Sequence, residues 1–128
     1  MAILIAREDV TILCSSLPPG EQVAGRHVHH EHTDAFYVLE GELTFEVGRE
    51  VKEIVVSAGG FLAAPPLVAH ALRTSGDAAA RWLTIHAPDG GFADFMRGRR
   101  DGIDVEWDFA PVPGDGGRPA GDAVVRAP

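Results

Sequence analysis

The 128-residue chain is predicted to fold as an all-β sandwich or barrel. Apolar and polar residues alternate strictly over 43–47, which is typical of a strand with one buried face. Similar apolar segments recur about every ten residues, with turn residues such as Gly41 and Gly48 between them. The chain also contains 15 glycines and 9 prolines, a content that favours short elements joined by tight turns over long helices.

The individual elements follow from the same patterns. Residues 1–7 begin the chain with an apolar strand. Further strands are predicted at 36–39, 43–47, 53–56, 61–64, 69–72 and 81–86. One short helix is predicted near residues 91–98, because Phe92, Phe95 and Met96 recur at helical spacing and arginines follow, where a helix dipole favours them.

The chain is long enough for one domain. We predict a β-barrel domain over residues 1–110 and a Pro/Gly-rich C-terminal extension over 111–128. The extension has few apolar residues, so its composition alone predicts a mobile, solvated segment. If it is held in place, the barrel wall and a second subunit are the surfaces on which it would pack.

Charge and cysteine content restrict the partners and the compartment. The formal net charge of -8 argues against binding to nucleic acid or to an anionic membrane, because like charges repel. No apolar run approaches the roughly 18 residues needed to span a bilayer. The single cysteine, Cys14, cannot form an internal disulfide, which fits a reducing compartment and predicts a cytoplasmic protein.

Four of the six histidines lie within six residues of one another. His27 and His29 are two residues apart, so on a strand their imidazoles project from the same face. Asp34 would lie on the opposite face of an uninterrupted strand, and a bulge or short loop before it would return it to the inward side. We expect His30 and His32 to lie in that loop, exposed to solvent.

His70 lies in a strand of small residues and is the fourth candidate. Three imidazoles and one carboxylate suit a divalent transition metal (Fe, Mn, Ni, Zn or Cu) and suit magnesium or calcium poorly. Simpler interpretations are a solvated histidine-rich loop, an adventitious metal site, and a hydrogen-bonded core histidine at position 70. A shared barrel interior favours the metal, because unpartnered buried polar groups are costly.

Two segments resemble the two sequence motifs of the cupin superfamily. In the first motif, His27 and His29 are followed, at the spacing of the family, by Asp34 and Gly41. The second motif corresponds to Gly59, Pro65, Leu67, His70 and Thr74. The resemblance covers residues 27–74 and continues to about Met96, as in small single-domain cupins.

Four positions depart from the family pattern. Glu21 stands where the family has a glycine six places before the first histidine, and Gly20 lies one place early. Asp34 stands where the family has a glutamate, so its carboxylate is one methylene shorter. Leu67 replaces a turn glycine, and we expect a different turn there and a narrower pocket mouth. Thr74 replaces an asparagine that has a structural role. None of these changes removes an imidazole.

The resemblance implies a double-stranded β-helix, or jelly-roll barrel, that holds a metal near one open end. The implied ligands are His27, His29, Asp34 and His70. We expect Phe36, Phe45, Leu72 and His86 to line the pocket. Cupins commonly form dimers, so a homodimer is expected.

Three functions are compatible with such a site. The segment 27–45 looks most like quercetinase-like bacterial cupins, which implies a dioxygenase acting on a small enolic or phenolic substrate, with Asp34 as the general base. A non-catalytic module that binds a small ligand is the alternative, and Leu67 and the shortened acid favour it. A sugar isomerase or epimerase fits less well, because its pocket needs polar and basic residues and the chain has one lysine, Lys52.

Overall fold

The computed structural model describes residues 1–128 and confirms the all-β prediction. It contains ten β-strands and one α-helix. The strands are β1 (Ala2–Ala6), β2 (Thr11–Leu17), β3 (Gln22–His27), β4 (Thr33–Glu40), β5 (Glu42–Val47), β6 (Lys52–Ser57), β7 (Phe61–Ala64), β8 (His70–Thr74), β9 (Ala80–Ala87) and β10 (Val124–Arg126). The helix α1 spans Phe92–Asp101, and a 3₁₀ turn spans Ala120–Asp122.

The strands form two antiparallel sheets. One has six strands in the order β1-β2-β9-β4-β7-β10, and the other has four in the order β3-β8-β5-β6. The buried apolar core draws on both sheets, so they enclose it between them. The helix ends at Gly102, whose left-handed φ of 73° is a conformation that glycine adopts without penalty. It is not long and apolar enough to cross a membrane.

Strand alternation determines which side chains face the interior. Along β9, residues 80, 82, 84 and 86 are buried while their neighbours are more exposed. On the neighbouring strand β4, Asp34, Phe36 and Val38 are buried on the same face. The same inward surface therefore passes from apolar side chains to polar ones, and the polar end forms the site described below.

The C-terminal segment packs on the barrel. Its strand β10 pairs with β7 at the edge of the six-stranded sheet. The Arg118 carbonyl accepts a hydrogen bond from the Arg49 N–H at 3.1 Å, and the Ala120 N–H donates to the Glu50 carboxylate at 2.9 Å. These long-range contacts hold the segment on the barrel wall, one of the two surfaces expected for it, and most of its residues are nevertheless exposed. The boundary at residue 110 stays a prediction.

Leu67 adopts the left-handed conformation that a turn glycine would take. Its φ is 68°, so the leucine is accommodated in a left-handed turn, and the expectation that this turn differs from the family's stays a prediction. Left-handed backbone costs a non-glycine residue roughly 1–2 kcal/mol. The turn is held from both sides, because the Leu67 N–H donates to the His29 carbonyl and the Leu67 carbonyl accepts from the Arg118 N–H, each at 2.8 Å.

Candidate metal centre

Two cross-strand pairs, one on each sheet, form the centre. His27 on β3 lies opposite His70 on β8, and Asp34 on β4 lies opposite His86 on β9. Side chains directly opposite each other on adjacent strands point to the same side of the sheet. His29 follows two residues after the end of β3, before a bend that leads into β4. Strand register thus brings residues that are far apart in sequence to one point.

The four predicted ligands lie together. One ligand atom from each of His27, His29, Asp34 and His70 can be chosen so that all four atoms are within 4.8 Å of one another. All four residues are buried, the most exposed at 5%. The cluster is therefore able to hold a divalent metal ion, and all four ligands would come from the interior of the barrel.

The hydrogen bonds of the three imidazoles fix their tautomers. Nδ1 of His27, His29 and His70 lies 2.7, 2.6 and 3.0 Å from a backbone carbonyl oxygen. The carbonyls belong to Gly25, Asp108 and Val68. Because a carbonyl only accepts, each Nδ1 must donate, and in the neutral ring Nε2 then carries a lone pair. This arrangement orients metal-binding imidazoles in proteins.

The contacts around Asp34 also suit a cation bound between this carboxylate and the imidazoles. Its Oδ2 lies 3.2 Å from Nε2 of His29 and 3.0 Å from Nε2 of His70. With both Nδ1 atoms donating elsewhere, neutral rings would direct lone pairs at the carboxylate. Either a proton or a metal ion between these atoms relieves the repulsion. The donor set is therefore one that fits a transition metal.

The second oxygen of Asp34 has no hydrogen-bond partner. Oδ1 is buried, and His86 Nε2 lies 3.2 Å from it without hydrogen-bond geometry. Burial alone would raise the pKa of Asp34, but the hydrogen bonds that His29 and His70 donate when a proton lies between their rings and the carboxylate, together with the contact with His86, outweigh burial and hold that pKa well below its usual range. Asp34 is therefore ionised at neutral pH.

His32 is fully buried, so the prediction that it is exposed is wrong. Its Nδ1 lies 2.8 Å from Oδ2 of Asp108, and its ring centroid lies 4.0 Å from that of His29. Burial, and then the neighbouring imidazoles of His29 and His86, lower the pKa of His32 to about 4. His30, by contrast, is exposed as expected.

Asp108 organises the loop that carries the histidines. Its carboxylate accepts the backbone N–H groups of His30 and Glu31, each at 2.7 Å, besides its contacts with His32. Its own carbonyl is the acceptor for His29 Nδ1. The pairing of Val28 with Ala110 holds this segment against β3. Sequence reasoning missed Asp108, because nothing local connects it to a loop more than 70 residues earlier.

An apolar cavity of about 620 Å³ opens beside the centre. Phe36, Leu72 and His86 line it, together with the candidate ligands His27 and Asp34. Phe45 does not line it. Its ring is fully buried in the core, because it projects from β5 into the space between the sheets.

The outer wall of the cavity comes from the chain after β9. The helix α1 contributes Phe92, Phe95, Met96 and Arg99, and the following segment contributes Trp107 and Phe109. Trp107 and Phe109 are not among the pocket residues expected from the sequence, and the helix predicted near residues 91–98 was not expected to cover the pocket. The helical spacing of the apolar residues in α1 could have indicated this position, because an apolar helix face packs against another part of the protein. Leu67 does not line the cavity, so it does not narrow the mouth.

Comparison with known proteins agrees with this architecture. The model of the cupin domain family matches residues 14–86, more than half of the chain. The chain therefore belongs to the cupin family, which confirms the resemblance seen in the sequence. No curated protein sequence matches the chain.

Solved structures show the same fold. A double-stranded β-helix protein from Klebsiella pneumoniae is 24% identical, with a TM-score of 0.61 over 67% of this chain and 69% of that one. A Thermus thermophilus protein is 28% identical, with a TM-score of 0.61 over 68% and 80%. A provisionally assigned sugar phosphate isomerase from Acidithiobacillus ferrooxidans is 26% identical, with a TM-score of 0.56 over 62% of this chain and 50% of that one.

Proposed function

We propose that this cupin binds a divalent transition metal and acts as a dioxygenase on a small enolic or phenolic substrate. The observation that carries the proposal is the position of the histidine–aspartate cluster beside an apolar cavity. His27 and Asp34 belong to both the cluster and the cavity wall. A molecule in the cavity would therefore lie next to the ligand atoms.

The residues that would hold the metal are His27, His29, His70 and Asp34. Iron, manganese, nickel, zinc and copper all accept this mixture of imidazole and carboxylate. When bound, such a metal supplies a Lewis acid with open coordination positions and, for the redox-active ions, a route for electrons to dioxygen. The hydrogen bonds from Nδ1 to backbone carbonyls keep the three rings in the orientation that binding needs.

Asp34 is our candidate for the general base. It is ionised at neutral pH, it lines the cavity, and its Oδ1 has no hydrogen-bond partner in the protein. A substrate hydroxyl in the cavity would find an acceptor there, and the transferred proton would rest on Oδ1 beside His86. The apolar wall would exclude water from this step.

The lining of the cavity supports an enolic or phenolic substrate over a sugar phosphate. Twelve of its 18 residues are hydrophobic, and Arg99 is the one arginine or lysine among them. Hydroxyl-rich and phosphorylated sugars need more polar partners than this surface offers. The isomerase-like structure from Acidithiobacillus therefore supports the fold more than the reaction.

Oxygen uptake tests the proposal directly. Untagged protein, loaded separately with Fe²⁺, Mn²⁺, Ni²⁺ or Cu²⁺, is mixed with flavonols, β-diketones and catechols. We expect uptake with at least one pair and a fall of more than tenfold in Asp34→Asn, measured at equal metal content. Silence across the panel with fully loaded protein would contradict a dioxygenase and favour a non-catalytic binding module.

We also propose a cytoplasmic homodimer formed through β1. This strand is at the edge of its sheet, and all five of its residues are exposed, including Ile3, Leu4 and Ile5. Exposed apolar edge strands favour pairing with another chain. Light scattering tests this, and a monomer at micromolar concentration would contradict it.

A further inference from the structure

The cavity wall carries one strong cation. Arg99 is the only arginine or lysine that lines the cavity, and Asp34, buried among the histidines, is the only carboxylate. A ligand with one negative charge would therefore meet a single attractive side chain there. The protein as a whole has a net charge of -8, so this local charge decides whether an anion is accepted.

Arg99 differs from the arginines on either side of it in α1. Arg97 pairs with Asp94 at 3.1 Å, and Arg100 pairs with Asp101 at 3.3 Å. Arg99 has no carboxylate partner, and its guanidinium carbon lies 5.8 Å from the centroid of the Phe95 ring. Its charge is thus held at an aromatic surface and is free to pair with a ligand.

A row of aromatic rings connects this cation to the candidate metal centre. Phe95 stacks on Trp107 with centroids 5.3 Å apart and an interplanar angle of 25°. Trp107 in turn stacks on His86 at 5.9 Å and 15°. His86 Nε2 contacts Asp34. These rings form a continuous aromatic wall on one side of the cavity, against which an aromatic ring system would pack.

We propose that the cavity selects aromatic carboxylic acids, whose ring packs on the wall formed by Phe95 and Trp107 and whose carboxylate pairs with Arg99. The inference deepens the proposed function, on which it rests for the role of this cavity as the substrate site. The acid group would lie at the helix, and the rest of the molecule would extend towards Asp34. Arg99 is then the residue that determines specificity for the anion.

The probes are cinnamate and cinnamamide, which share shape and aromatic ring but differ in charge. Their dissociation constants are measured by calorimetry on chelator-treated, metal-free protein, because a bound metal ion with open coordination positions would itself attract the carboxylate. We expect cinnamate to bind about fivefold more tightly, the value that an exposed ion pair supports. The preference should disappear in Arg99→Gln and decrease at higher ionic strength. It should persist in Arg97→Gln and Arg100→Gln, which remove the same charge from the same helix.

Several results would overturn the inference. They are equal affinities in the wild type, no binding of either probe, a preference that survives Arg99→Gln, and an equal loss in all three arginine variants. Metal content and oxygen uptake of the same variants, measured separately after metal loading, separate this outcome from failure of the proposed function. An Arg99-dependent preference without metal or uptake would contradict only the proposed function, and bound metal and uptake without that preference would contradict only the inference.

Discussion

The inward faces of β4 and β9 carry two regions of opposite character. In one, Val38 lies opposite Trp82, and both are buried in the apolar core. The Trp82 Nε1–H donates to Thr84 Oγ1 at 3.0 Å, so the core leaves no tryptophan donor unpaired. In the other, Asp34 lies opposite His86, and the buried atoms Asp34 Oδ1 and His86 Nδ1 have no hydrogen-bond partner.

This difference indicates where the chain gives up stability for function. An unpaired buried donor or acceptor costs about 1–3 kcal/mol, and native proteins keep few of them. The apolar region avoids that cost with the same strands and the same alternation. The polar region retains it beside three correctly oriented imidazoles, which is the pattern expected where a metal ion and a ligand complete the site.

The largest expected effect is on metal binding. His70→Ala should reduce zinc from about one ion per chain to less than about a tenth, because it removes one of three imidazoles from a four-ligand site. His30→Ala, which changes an exposed histidine outside the cluster, should retain the full amount. Elemental analysis of untagged protein after dialysis measures both, and circular dichroism checks the fold. Stoichiometric zinc in folded His70→Ala would contradict the ligand set.

The opposite result is expected in the apolar region. Phe45→Ala removes a fully buried ring and should lower the free energy of unfolding by about 3–5 kcal/mol. Zinc binding to the folded fraction should change little, because Phe45 is neither one of the four ligands nor part of the cavity lining. Urea unfolding and elemental analysis of the same sample separate the two effects. A Phe45→Ala variant with wild-type stability but no zinc would contradict the claim that the apolar region stabilises the fold and the polar region binds the metal.

Acid should destabilise the metal-free protein through its buried histidines. Burial, and then the neighbouring His70, lowers the pKa of His27 to about 4, and the pKa of His32 is also about 4, against 6.5 in the unfolded chain. Between pH 6.5 and 4 the unfolded chain therefore binds protons that the folded protein does not, so stability falls as the pH falls. Each histidine contributes a loss of about 3 kcal/mol across that window.

The check compares urea unfolding at pH 7, 5.5 and 4.5 in the presence of a chelator. His32→Gln should show a shallower pH dependence than the wild type, and His30→Gln should not. Asp34 does not change this result, because its lowered pKa affects stability only below about pH 4. Parallel curves for the wild type and His32→Gln would show that His32 titrates normally in the folded protein.

The smallest effect concerns the support of the site. Asp108→Ala removes the acceptor that holds the backbone of residues 30–32 and the His32 ring. We expect about tenfold weaker zinc binding and a loss of about 1–2 kcal/mol in stability. Asp104→Ala, an exposed aspartate in the same segment, is the control. Competition with a zinc-responsive dye measures the affinity, and identical values for both variants would remove Asp108 from the site.

Predictability from sequence also differed between the two regions. The strand predicted at 43–47 is β5 with one further residue, because its alternation reflects the core that it faces. The strand predicted at 36–39 in fact begins at Thr33. Its first part was not recognised, because inward-facing polar residues such as Asp34 interrupt the alternation of apolar and polar residues. Functional residues on a buried face thus break the same pattern by which strands are recognised.

The long-range part of the site lay outside what local patterns contain. His32 appeared solvated because its partner Asp108 lies far along the chain, and no periodicity connects them. The ring wall of Phe95 and Trp107 depends on how α1 packs, which the helical spacing alone does not specify. The C-terminal segment appeared solvated because pairing with β7 depends on backbone hydrogen bonds and not on apolar side chains.

Zinc K-edge X-ray absorption on protein loaded with one equivalent of zinc is the most direct test of the central claim, that three imidazoles and one carboxylate converge on one ion. The account predicts a first shell of three imidazole nitrogens and oxygen at about 2.0–2.2 Å, without sulfur. A shell with fewer than two imidazoles, or one containing the sulfur of Cys14, would contradict it.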